Sequence, residues 1–312
     1  MRLDVPVPEG AEERAWQVVR AAYEERVPAP RARRAWRPVL VLAAAAVVAG
    51  AVASPPGQAV LDSIREAVGV ERAQPALFSL PAAGRLLVES ADGVWVVHAD
   101  GSKRRLGDWR EASWSPFGRF VVVARANELA AVEPDGDVHW SIARPSVRFP
   151  RWAGDRTDTR IAYLSGTSLR VVAGDGTNDR LLRQNVAAVR PVWLQGDGFQ
   201  LAYTDRAGRT AVVDADTGRA VRGAVPAPEA SIRKQGASSE VVSGGRVVFR
   251  GTGEFRDVAR SPDGRWLLVT WPTADQWVFV RTDGRRRIEA VSGITRQFGG
   301  GSFPRIAGWC CA

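Results

Sequence analysis

Ser261-Pro262-Asp263-Gly264-Arg265-Trp266-Leu267-Leu268-Val269 is a tight turn that runs straight into an apolar strand. Pro262 presets its φ for the first central turn position, Asp263 bonds its own backbone, and Gly264 supplies a positive φ, so the chain reverses at little steric penalty. A second copy stands at Trp114-Ser115-Pro116-Phe117-Gly118-Arg119-Phe120-Val121-Val122-Val123, with Phe117 in the place of Asp263. Weaker echoes are Arg151-Trp152 leading to Arg160-Ile161-Ala162-Tyr163, and Val192-Trp193 leading through Asp197-Gly198 to Gln200-Leu201-Ala202-Tyr203. One unit is repeated along most of the chain.

The spacing sets the size of that unit. Trp114 to Trp152 is 38 residues and Trp152 to Trp193 is 41, the period of a four-stranded propeller blade. The next aligned position, Arg260, follows after 67. Either a degenerate unit or a long insertion fills Val221 to Val258, with Gly245-Arg246-Val247-Val248-Phe249 as a candidate strand. Upstream, Phe78-Ser79-Leu80-Pro81 followed by Arg85-Leu86-Leu87-Val88 reads as the first unit.

At these residues the chain resembles the TolB-like and WD40-like β-propeller repeat family, whose units carry a Trp-Ser-Pro-Asp-Gly turn before an apolar strand. The resemblance covers roughly Phe78 to Trp309, and the copy at Ser261 is the most complete. It implies an all-β domain of five or six blades over 77–312. The motif is a turn and packing device, so it implies no catalytic residue. Seven Asp-Gly pairs, at Asp92, Asp100, Asp135, Asp175, Asp197, Asp263 and Asp283, are each suited to a two-residue hairpin turn. Regular hairpins without helical periods exclude a βαβ layout; a sandwich is the structural alternative, and the forty-residue self-similarity favours blades.

The segment ahead of this domain reads differently. Residues 11–26 predict an amphipathic helix, with Trp16, Val19 and Tyr23 on the apolar stripe and Glu12, Glu13, Arg20, Glu24 and Glu25 opposite. A stripe on so short a helix needs a partner, so these three are the candidate partner-binding residues; a loosely ordered tail is the competing reading. Arg33, Arg34, Trp36 and Arg37 then precede an uncharged apolar run, Val39 to Ala53, and form a candidate membrane-interface cluster. Residues 38–54 read as a transmembrane helix at the short end of the spanning range, and the basic flank places 1–37 in the cytoplasm and the rest outside. The Ala51-Val52-Ala53 triplet also fits a cleaved signal peptide, although six acidic residues ahead of the core argue for a retained anchor. Pro55-Pro56 and the amphipathic pattern from Gln58 to Val70 make 55–76 a juxtamembrane linker.

The net charge is +9, with arginine supplying all but two of the 43 basic residues. Arginine spread along the whole chain does not form a nucleic-acid footprint, which would cluster on one face. His98 and His139 are the only histidines; each lies in a strand pattern, there is no G-x-S-x-G elbow, and neither reads as catalytic. Asp214-Ala215-Asp216-Thr217-Gly218 lacks the distal ligands of a calcium loop and reads as a hairpin turn, and Gly299-Gly300-Gly301 reads as a loop. No catalytic, metal or cofactor residue is expected. Cys310 and Cys311 are the candidate redox-sensitive pair, expected as free thiols in a closing strand because adjacent Cα atoms lie closer than a disulfide usually spans.

These readings predict a membrane-anchored, extracytoplasmic, non-enzymatic sensor or scaffold of the cell envelope, with the membrane and a protein as its partners. The layout is similar to membrane-bound anti-sigma regulators, but the cytosolic segment has no His or Cys for their zinc-containing domain. An exported hydrolase with acidic residues in the propeller channel is the alternative of a different class. Three or more converging carboxylates with raised pKa values would favour it, and an arginine-lined mouth would favour binding.

Overall fold

The structure, a computed structural model, describes residues 79–194, 196, 198–223, 225, 227–285 and 287–311. The expected helix at 11–26, the apolar run 39–53 and the linker pattern 58–70 lie outside the described residues.

Among the described residues twenty-three strands form six antiparallel sheets in sequence order. The first holds β1 (Arg85–Ser90), β2 (Gly93–Val97) and β3 (Lys103–Gly107), completed by β23 (Arg305–Cys310), which pairs with β1. The second holds β4 (Glu111–Trp114), β5 (Val121–Arg125), β6 (Glu128–Val132) and β7 (Val138–Ala143). The third holds β8 (Val147–Gly154), β9 (Thr159–Ser165), β10 (Ser168–Ala173) and β11 (Arg180–Arg183). The fourth holds β12 (Val192–Trp193), β13 (Gln200–Thr204), β14 (Thr210–Asp214) and β15 (Ala220–Val221). The fifth has three strands, β16 (Ala230–Gln235), β17 (Ser238–Ser243) and β18 (Arg246–Thr252). The sixth holds β19 (Val258–Arg260), β20 (Trp266–Trp271), β21 (Gln276–Arg281) and β22 (Ile288–Ser292). A single turn of α-helix, Ile294–Gln297, leads back toward β23. The 67-residue gap is therefore a degenerate unit, and the described residues form six sheets.

Leading strands of neighbouring sheets touch one another: β23 meets β4, β4 meets β8, β8 meets β12, and β16 and β23 both meet β19. They line the axis of a propeller-like ring, closed by the last strand pairing with the first. The apolar core lies between sheets. Leu86 and Val88 of β1 face the sixth sheet while Leu87, between them, faces the second, which is why the strand reads as continuously apolar rather than alternating. Five such clusters join sheets one to two, two to three, three to four, five to six and six to one. Among the described residues none joins the fourth sheet to the fifth.

The repeated turn explains its own sequence. In the Ser261 copy, Ser261 Oγ accepts the Trp266 N–H at 2.9 Å and donates to Asp263 Oδ1 at 2.5 Å, and Gly264 takes φ 73°. In the other copy, Ser115 Oγ accepts the Phe120 N–H at 2.8 Å, but both Phe117 (φ 66°) and Gly118 (φ 65°) are left-handed. A bulky residue there is strained by about 1–2 kcal/mol.

The Asp-Gly turns depart from expectation. At Asp92 the loop has two residues, but at Asp100, Asp135 and Asp175 it has three. Gly101, for example, donates to His98 O while His98 N–H donates to Ser102 O. The glycine takes the left-handed position of a bulged hairpin, and the aspartate accepts the N–H two residues on, as Asp100 does from Ser102 at 2.9 Å. Asp197 lies outside the described residues. Asp214 caps the β14–β15 turn by accepting the Asp216 and Thr217 N–H groups, as a hairpin requires.

A candidate ligand site at the channel mouth

Charged residues gather where the leading strands begin. Glu111 opens β4, Arg148 is second in β8, Arg190 precedes β12, Asp257 precedes β19, and Arg305 opens β23. Glu89, near the end of β1, and Arg151, further along β8, reach the same region.

The three carboxylates share one task. Glu89 Oε1 accepts the Ala112 N–H of β4 at 2.8 Å, Glu111 Oε2 accepts the Phe149 N–H of β8, and Asp257 Oδ2 accepts the Ile306 N–H of β23 at 3.3 Å. Each acid therefore latches its own sheet to the leading strand of the next, satisfying a backbone donor that would otherwise be stranded between sheets. The latch at Phe149 coincides with a bulge in β8, where Phe149 is left-handed (φ 56°) and the register slips between Arg148 and Arg151.

Burial pushes the Glu89 carboxyl above its ordinary value, against the pull of the Ala112 N–H and of Arg190 and Arg305. Burial likewise raises Asp257, opposed by Arg305, the Ile306 N–H, Arg256 and Arg190. The Arg151 guanidinium is lowered to about 10, by burial first and then by Arg190 and Arg305, while Glu89 and Glu111 oppose the shift.

The arginines are weakly matched. Arg148 reaches Glu111 at only 3.7 Å and Arg305 reaches Asp257 at only 3.7 Å. Arg190 lies over the Phe149 ring, 5.9 Å from its centroid, and Arg148 lies over the same ring at 4.5 Å. Among the described residues neither Arg151 nor Arg190 makes a side-chain hydrogen bond or an ion pair. Four guanidinium groups thus surround three carboxylates that each already hold a backbone amide. The mouth has donors to offer, and its acids are engaged.

Ion clusters elsewhere are internally satisfied. Asp179, 7 % exposed at its side chain, accepts from Arg144, Arg170 and the Tyr163 hydroxyl. Burial would raise its carboxyl, but these donors hold it below the ordinary value, while burial and the Asp179 charge together raise the Tyr163 hydroxyl. Glu240 is clamped between Arg233 and Arg250 in the same manner.

Of the residues expected to act, Trp16, Val19, Tyr23, Arg33, Arg34, Trp36 and Arg37 lie outside the described residues. Cys310 ends β23 and Cys311 follows it, with their Cα atoms 3.7 Å apart. Consecutive strand residues point to opposite faces, but Cys311 leaves β23 in the left-handed region (φ 60°), which brings both sulfurs to one side. His98 is half-buried beyond β2, and His139 is exposed in β7. Among the described residues no three His, Cys, Asp or Glu side chains are grouped to hold a metal ion, and no helix is long and apolar enough to cross a membrane.

The mouth residues were not singled out in the sequence, yet a signal was there. Glu111, Arg190 and Asp257 each stand three residues before the aligned Trp114, Trp193 and Arg260, while Arg148 and Arg305 stand four before Trp152 and Trp309. A charge repeated at that offset marks the end of the ring where the leading strands begin.

No protein-family model matches the chain, and no curated protein sequence matches it. Among solved structures it is similar to the β-propeller domain of Myceliophteria thermophila Cps50 (Swd1), at 14% identity over 69% of this chain and 88% of that one, with a TM-score of 0.39. It is also similar to Kuenenia stuttgartiensis hydrazine synthase, at 15% identity over 67% of this chain and 80% of that one, with a TM-score of 0.39. Likeness of this degree transfers no activity to the chain, whose propeller-like architecture stands on its own strand pairing.

Proposed function

We propose that this chain is a non-enzymatic, membrane-anchored binding protein of the cell envelope, and that its ring domain receives an anionic group of a ligand or partner protein at the arginine-lined mouth. The observation that carries this reading is the pairing state of the mouth. Among the described residues the Arg151 and Arg190 side chains have no hydrogen-bonding partner, while Glu89, Glu111 and Asp257 are engaged as latches. A guanidinium that is half-buried and unpaired binds a carboxylate or phosphate well, because its desolvation is partly met before the ligand arrives. The same observation disfavours the exported hydrolase, whose acids would have to leave backbone amides to act.

The test is thermal unfolding of the full-length chain with citrate against chloride at equal ionic strength. A citrate-specific rise in the midpoint supports the reading, since a ligand that binds only the folded state stabilises it by mass action. Loss of the rise in an R151Q/R190Q variant locates the site; an equal rise in that variant defeats the proposal.

The apolar run from Val39 to Ala53 and its basic flank support the membrane part of the proposal. A chain lacking residues 39–53 should leave the membrane pellet for the soluble fraction after an alkaline wash. The stripe of Trp16, Val19 and Tyr23 favours a cytosolic partner helix, which would make the anchor a signalling element of the anti-sigma type. Capture of one cytosolic protein by residues 1–37 on liposomes, lost with W16A/Y23A, is the expected result, and unchanged capture would remove that element.

A further inference from the structure

The opposite end of the ring carries a second site of different chemistry. A cleft of about 490 Å³ opens between the turn that follows β4 and the turn that follows β8, within the size range of small-molecule sites. Its wall is a ladder of rings. Phe120 stacks on His139 with centroids 4.8 Å apart, and lies nearly parallel to Trp152, 9° between planes at 6.3 Å. Its lip is Phe117, 59% exposed and held in the left-handed region. Arg156 lies 5.0 Å from the centroid of Phe117, and Arg119 lies 5.1 Å from that of Phe120.

Three features point to one ligand class. The aromatic faces are near-parallel, so they accept a flat ring by stacking. The two arginines make no ion pair among the described residues, whereas the lining acids Asp155 and Asp175 are engaged in capping their own turns, so the guanidinium groups are the donors left to meet a ligand's negative group. Finally, Phe117 occupies a position where the sister turn has Asp263, a residue that makes two turn hydrogen bonds there. The phenyl ring makes none, sits in a disfavoured backbone region, and is presented to solvent. Such strain concentrates where a side chain is held for binding.

We propose that this cleft binds a planar aromatic anion, its ring stacking against the Phe117, Phe120 and Trp152 faces and its negative group meeting Arg119 and Arg156. The site is independent of the channel mouth.

The experiment is calorimetric titration of the full-length chain with three probes: 1-naphthalenesulfonate, the uncharged 1-naphthalenemethanol, and methanesulfonate. Wild type and variants are run in the same buffer, so that partition into solubilising detergent cancels. One saturable site for naphthalenesulfonate is expected, with affinity at least tenfold weaker for the other two probes. Phe117→Asn, which keeps a residue tolerant of the left-handed region, should weaken naphthalenesulfonate at least tenfold while leaving the unfolding midpoint unchanged or higher. R119Q/R156Q should weaken it to a similar degree. Equal binding of the three probes overturns the proposal. If F117N unfolds earlier than wild type, the ring is a packing element and the arginine pair decides; undiminished affinity in R119Q/R156Q then overturns the proposal as well.

Discussion

The two ends of the ring use arginine in contrasting ways. At the mouth, guanidinium groups stand among carboxylates, and the carboxylates hold the sheets together through backbone amides. At the turn end, Arg119 lies over the half-buried Phe120 ring and Arg156 over the exposed Phe117 ring, and the nearby acids fold back on their own turns. Structural and electrostatic roles are therefore fused at the mouth and separated at the turns. Substitutions at the mouth should lower stability and binding together, whereas substitutions of the side chains that line the turn-end cleft should weaken binding without lowering stability.

The largest test of that contrast is Glu89→Ala. It strands the Ala112 N–H and removes a buried charge facing Arg151 and Arg190, so urea unfolding should show a loss of about 3 kcal/mol. His139→Ala, at the exposed end, should shift stability by less than about 0.5 kcal/mol in the same assay. Comparable losses at the two positions would erase the distinction.

Gly118→Ala should follow at about 2 kcal/mol, because the position is left-handed and an added Cβ would lie 2.7 Å from Cys311 Sγ. This probes whether the closing strand and the Phe117 turn are packed as one body, and a neutral outcome would uncouple them. Phe117→Asn should gain about 1 kcal/mol by relieving backbone strain, measurable as a later urea midpoint. A loss would mean that the phenyl ring packs rather than binds.

The smallest effect is in pH dependence. Because the folded Glu89 carboxyl titrates above its ordinary value of 4.5, the folded state binds more protons in that window. Stability therefore falls as pH rises from about 4.5 through the raised value and is level above it. At Asp179 the shift is downward from 3.8, so its contribution is present above that value and disappears as pH drops below it. E89Q should flatten the decline on the less acidic side without altering the acid limb, and a profile identical to wild type would place the titration elsewhere.

Much of the architecture was legible before any coordinates. The Ser-Pro-x-Gly turn encodes its own geometry, since proline, serine and glycine each act within a few residues, and the spacing of Trp114, Trp152 and Trp193 gave the unit length. The fifth sheet was harder to read because it lacks that turn and, among the described residues, has three strands. The turn at Cys311, which leaves the strand in the left-handed region, was not legible, because no glycine or asparagine marks it.

Local chemistry, acting over a handful of residues, was enough for the sequence to determine an all-β repeat of about forty residues, its turns and the continuously apolar strands that must be covered on both faces. Tertiary structure alone decided the count of six, the closure of β23 on β1 and the meeting of Glu89, Arg151, Arg190 and Arg305, residues far apart in the chain. The reason is physical: turn chemistry depends on neighbours along the backbone, whereas a mouth is made of charges whose proximity exists only once the ring has closed.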